Sequence, residues 1–90
     1  MSRAADRSPL DFPCEFPIKV MGRHDGDVAE ASRAIIERHA GALPPERVRV
    51  RTSADGNFLA ITYLLVAQNK AQLDAIYREL TACKSVLMAL

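Results

Sequence analysis

Tryptophan is absent from this chain, cysteine occurs twice and glycine only four times in 90 residues. Cys14 and Cys83 are too few for a disulfide scaffold and lack the spacing of a zinc knuckle or a redox pair, so both read as free structural thiols. An excess of charge of one sign is also lacking. Twelve Lys and Arg stand against 11 Asp and Glu, a formal net charge of +1, which provides no long-range field for a phosphate polymer or an acidic lipid surface. Any basic site must therefore be local. No segment approaches the roughly 18 continuous apolar residues of a membrane span, and "MSRAADRSPLD" has no apolar run of signal-peptide length. A cytoplasmic location and no membrane contact are expected.

With 49% hydrophobic and 26% charged residues, the composition is that of a chain that packs a core. Residues 1–12 are polar and without periodicity, and read as a flexible tail; residues 13–90 read as one domain. In "CEFPIKVMG", Phe16, Ile18 and Val20 alternate with Glu15, Pro17, Lys19 and Met21, the period of a strand with one dry face, and Gly22 is expected to end it. Asp25 or Asp27 can cap a following helix over about residues 27–40, in which Val28, Ala31, Ile35 and His39 recur at helical spacing and Gly41 closes the last turn.

The stretch "RVRVR", residues 47–51, also alternates: Val48 and Val50 face the core, and Arg47, Arg49 and Arg51 face away. Asp55-Gly56 then marks a tight turn into the apolar, β-branched run "FLAITYLLVA", which makes a hairpin. Asn69 is an N-cap for a helix with Leu73, Ile76, Tyr77 and Leu80 on its dry face and Lys70, Gln72, Arg78 and Glu79 on its wet one. "SVLMAL" is a last short strand. The order βαββαβ predicts an α+β ferredoxin-like domain: a four-stranded antiparallel sheet, both helices on one face, the first and third strands central and the arginine-bearing strand at an edge. Charge on an edge strand discourages pairing with another chain, so the three arginines need no ligand to explain them.

"FPCEFPIKVMG" at the start of the domain, "SADGN" at the hairpin, "LDAIYREL" in the second helix and "VLMAL" at the end together resemble the YbeD-like family of small bacterial proteins, over about residues 12–90. The resemblance implies the ferredoxin-like fold and a likeness to the regulatory ACT domains of amino-acid metabolism. It implies no activity and no catalytic residues. By analogy with ACT domains it points to an amino-acid-like effector at Gly22, Arg23, His24, Asp25, Gly26 and Asp27. There the glycines allow close approach, the helix start presents amides and Arg23 and His24 are placed to hold a carboxylate, although Asp25 and Asp27 oppose an anion; the bland alternative is a solvated loop.

Fold kinship does not transfer function, and the remaining readings rest on the residues. A third strand apolar on both faces, flanked by Met21 and Leu87, leaves an apolar patch on the side no helix covers. Met21, Arg47, Arg49, Arg51, Phe58, Leu64 and Leu87 form the expected interaction surface, for a second copy or for another protein. Against this, the stems of Lys19 and Arg49 can cover the patch in a monomer. RNA binding on that face needs stacking aromatics and finds only Phe58, so nucleic acid is an unfavoured partner. His24 beside Asp25 is no dyad, no nucleophile motif occurs and no spacing suggests metal ligands; no enzyme activity, cofactor or metal is expected. The leading expectation is a non-catalytic regulatory or protein-interaction module.

Overall fold

The computed structural model describes residues 11–90. The expected tail over residues 1–12 lies outside them apart from Asp11 and Phe12, and Phe12 is half-buried against the core. The elements run β1 (Cys14–Arg23), α1 (Val28–Ala40), a 3-10 turn (Pro45–Arg47), β2 (Val48–Thr52), β3 (Phe58–Ala67), α2 (Lys70–Ala82) and β4 (Met88–Ala89). All pairings are antiparallel and the sheet order is β2-β3-β1-β4. This is the ferredoxin-like βαββαβ fold, with β1 and β3 central and the arginine-bearing strand at an edge.

Alternation fixes which side chains are dry. Ile18 and Val20 of β1 and Ile61, Tyr63, Leu65 and Ala67 of β3 are buried beneath Val28, Ile35 and Ile36 of α1 and Leu73, Ile76 and Leu80 of α2. One polar pair is sealed inside. The Tyr63 hydroxyl donates to Ser32 Oγ at 2.6 Å, and Ser32 Oγ donates onward to the Val28 carbonyl at 2.6 Å. Each hydroxyl proton thus has an acceptor, which removes the roughly 1–3 kcal/mol penalty of an unmet buried polar group. Burial pushes the Tyr63 phenol above its ordinary range.

Gly22 does not end β1. The ladder continues through Gly22↔Leu59 and Arg23↔Phe58, and Gly22 is buried so closely that a Cβ there would lie 2.5 Å from Val28 Cβ and 2.6 Å from the Ser85 carbonyl oxygen. Neither aspartate caps α1 through its side chain. Asp27 instead accepts from the Ser85 hydroxyl in the segment before β4, and Asp25 accepts from Arg23 Nε at 3.4 Å. A nearby hydroxyl and guanidinium outcompete the helix amides for these carboxylates. Asn69 does cap α2, accepting from the Gln72 amide at 2.8 Å while Gln72 Oε1 accepts from the Gln68 amide at 2.7 Å.

The wet-face reading of Glu79 and Gln72 also changes. Glu79 receives both Arg38 and His39, from the last turn of α1, and Gln72 Nε2 donates to the His39 carbonyl at 2.7 Å. The two helices lie side by side, so residues at the flank of one wheel meet the end of the other helix. The His39 contact, then that of Arg38, holds the Glu79 carboxyl below its ordinary range.

Candidate functional site

The face of the sheet opposite the helices is built from alternate residues of three strands. Lys19 and Met21 project from β1, Phe58, Ala60, Thr62 and Leu64 from β3, and Arg49 and Arg51 from β2, brought into line by the registers Lys19↔Thr62↔Arg49 and Met21↔Ala60↔Arg51. All of these but Leu64 line a shallow depression of about 370 Å³ whose floor is Met21, Ala60 and Thr62. Its rim carries Lys19, Arg49 and Arg51, and among the described residues no carboxylate lines it. None of these three cations enters an ion pair among the described residues.

The hairpin after β2 is organised to close one end of this depression. Asp55 accepts from Ser53 Oγ at 2.7 Å and from the Asn57 amide at 3.0 Å, the Phe58 amide donates to Ser53 Oγ at 3.1 Å, and Gly56 takes φ 79°. These donors, the Ser53 hydroxyl first, hold the Asp55 carboxyl below its ordinary range. That aspartate is therefore already engaged within the turn.

Arg47 behaves differently from its two neighbours. It belongs to the 3-10 turn before β2 and reaches across β3 to Glu15 of β1 at 2.9 Å. Its stem lies over Leu64, which is half-buried, and its Nη1 is buried without a hydrogen-bond partner among the described residues. The expectation that all three arginines sit in one strand facing solvent is thus corrected. Glu15 was visible on the same alternation, but its arginine partner stands far away in sequence.

Val50 is the other correction. Its phase is as expected, toward the helix side, yet 53% of it is exposed because neither helix extends over the outer edge of β2. With Ala29, Val48 and Ile61 it lines a helix-side groove of about 220 Å³. At the opposite edge Leu87, Met88 and Leu90 are exposed, with the Leu87 amide bonded to the Met21 carbonyl at 2.8 Å.

The loop between β1 and α1 gathers the expected effector residues without forming part of the depression. Gly22 lies beneath Val28, Arg23 is turned onto Asp25, the His24 amide donates to the Asn57 carbonyl at 2.8 Å and the Gly26 amide to the Arg23 carbonyl at 3.1 Å. Cys14 and Cys83 are free thiols. Among the described residues no group of three His, Cys, Asp or Glu could hold a metal ion, and no helix is long and apolar enough to cross a membrane.

Residues 7–90 match the family described as "Protein of unknown function (DUF493)". The chain is 41% identical over 85 residues to a UPF0250 protein of Paraburkholderia phymatum, covering 94% of this chain and 96% of that one. It is 40% identical over 85 residues to a UPF0250 protein of Leptothrix cholodnii, covering 94% and 93%. Among solved structures, the solution structure of protein HP0495 from H. pylori matches with a TM-score of 0.74 at 13% identity, over 97% of this chain and 91% of the other; at that identity the likeness is one of fold. The chain belongs to the UPF0250 (DUF493), or YbeD-like, family of small bacterial proteins of unknown function.

Proposed function

We propose that this protein is a cytoplasmic, non-catalytic interaction module of the regulatory, ACT-like kind, and that its open sheet face docks another protein whose surface is apolar and acidic. The observation that carries the reading is the depression over Met21, Ala60 and Thr62. An apolar floor suits docking, and a rim of Lys19, Arg49 and Arg51 with no carboxylate among the described residues selects the charge of what docks. The same rim weighs against a second copy, since two such faces would bring like charges together.

An effector at Gly22–Asp27 has less behind it, because Arg23 is occupied by Asp25 and Gly22 is covered. RNA has less still, with Phe58 the one aromatic on the open face of the two central strands, itself half-buried. The test is site-specific photocrosslinking in bacterial cells with a benzophenone side chain at Thr62 and, separately, at Arg78 on the helix layer. A discrete adduct from Thr62 alone, lost on Arg49→Glu with Arg51→Glu, is the expected result. No adduct from Thr62, or the same adduct from Arg78, would sink the reading.

A further inference from the structure

We infer that the outer edge of β2 accepts a fifth strand from the partner: an extended segment with acidic residues at alternate positions and apolar residues between them. The inference rests on the docking reading above and specifies the partner's chemistry and its geometry.

Backbone phase is the first ground. The Ser53 amide donates to the Phe58 carbonyl at 2.9 Å, and in an antiparallel ladder bonded pairs recur every second residue. Residues 49 and 51 therefore exchange bonds with β3, and the N–H and C=O groups of Val50 and Thr52 point outward from the sheet edge. The Val48 amide is already used, donating to the Pro45 carbonyl. Val50, the exposed apolar residue of β2, thus also has its backbone groups facing outward.

Side-chain chemistry is the second ground. An added strand presents alternate residues to the two sheet faces. Those on the open face would stand beside Arg49 and Arg51, which have no ion-pair partner among the described residues, and opposite charges at cross-strand positions are favourable. Those on the other face would cover Val50 and extend the groove formed with Ala29, Val48 and Ile61.

Self-pairing fails the same criterion. With Val50 opposite Val50 in a second, antiparallel copy, Arg49 stands opposite Arg51. Shifting the register either way to match the outward groups sets Arg51 opposite Arg51 or Arg49 opposite Arg49. Like charges directly opposite are destabilising, so the edge rejects a copy and selects carboxylates.

The probe is the capped peptide GEVEVEG, titrated into the full chain labelled with ¹⁵N, beside a scrambled peptide GVVEEEG and a version N-methylated at both valines. The expected result is slowed amide exchange at Val50 and Thr52 with the alternating peptide, and binding about tenfold tighter than the scrambled one. N-methylation should abolish it. Arg49→Glu with Arg51→Glu should lose GEVEVEG and gain GKVKVKG, a gain that an unfolded variant could not show. Equal binding of the N-methylated peptide, or shifts confined to Lys19 and Thr62 with no protection at Val50, would overturn strand addition while leaving docking on the sheet face intact. No binding of GEVEVEG at millimolar concentration would also overturn it, and the Thr62 crosslink reports on the face independently.

Discussion

The two faces of β3 are nearly equal in sequence and opposite in fate. Ile61, Tyr63, Leu65 and Ala67 are sealed by α1 and α2, whereas Phe58, Ala60, Thr62 and Leu64 are half-buried with no element above them among the described residues. On the covered side apolar residues are excluded from water by packing. On the open side, among the described residues, the stems of Lys19 and the arginines shield them, Arg47 over Leu64 by way of its reach to Glu15. An apolar strand thus announces that both faces will be partly dry, without saying which is closed by the chain itself and which is left for another molecule.

The sharpest break in that comparison uses adjacent residues. Leu65→Ala removes a fully buried side chain and is expected to cost about 2–5 kcal/mol in urea unfolding, while Leu64→Ala, covered by one arginine stem, should cost about 1 kcal/mol. Similar losses would mean that the open face is as tightly packed as the helix side.

A second contrast separates a glycine required by packing from one merely tolerated. Gly22→Ala drives a methyl into Val28 and the Ser85 carbonyl and should destabilise by about 1–3 kcal/mol. Gly26→Ala, whose nearest neighbour would stand at 3.5 Å, should stay within about 0.5 kcal/mol of the parent. Reversal of that order by thermal melting would contradict the placement of β1 beneath α1.

The buried hydroxyls give a smaller effect. Ser32→Ala leaves the Tyr63 hydroxyl with only its 3.4 Å contact to the Ala29 carbonyl and should cost about 1–2 kcal/mol. Tyr63→Phe, which leaves Ser32 bonded to Val28, should cost about 1 kcal/mol or less. A double variant whose loss equals the sum of the two would argue against the shared bond.

The smallest effect concerns Glu79, half-buried at the junction of the helices. Its carboxyl is held below the ordinary range by His39 and Arg38, so the folded state favours the charged form. That stabilisation is fully present above the ordinary glutamate value of about 4.3 and fades as the pH falls through the folded-state value. Glu79→Gln should therefore melt below the parent at pH 7, and the gap should narrow at acidic pH. A gap that widened on acidification would contradict the assignment.

How much of this could be read from the residues depends on whether the cause was local. Alternation in "CEFPIKVMG" and "RVRVR" gave the correct face for Ile18, Val20, Arg49 and Arg51, because period two is a property of the strand alone. The edge position of β2 followed from topology rules. Val50 shows where this stops: periodicity reports a direction, and whether a helix extends far enough to cover it depends on where α1 lies. Glu79 fails for a related reason, since a helical wheel treats one helix at a time and the partner here is the last turn of another. Gly22 looked like punctuation because the groups that require it, Val28 and Ser85, come together only in the folded chain. For the candidate site, the cations and the apolar floor were legible; the engagement of Arg47, which sets it apart from Arg49 and Arg51 among the described residues, was not, because it turns on one carboxylate, Glu15, two strands away.

The most direct test mixes two versions of the chain. Wild type and the Arg49→Glu/Arg51→Glu variant are each followed by light scattering over a concentration series, alone and in equimolar mixture. Alone, each should remain monomeric, because β2 would meet its own charge. Mixed, each arginine of one chain would face a carboxylate of the other, and a species of twice the mass should form and dissolve with added salt. A wild-type dimer at physiological salt, or a mixture that stays monomeric at every concentration, would contradict the claim that the edge of β2 excludes a copy of itself and selects an acidic strand.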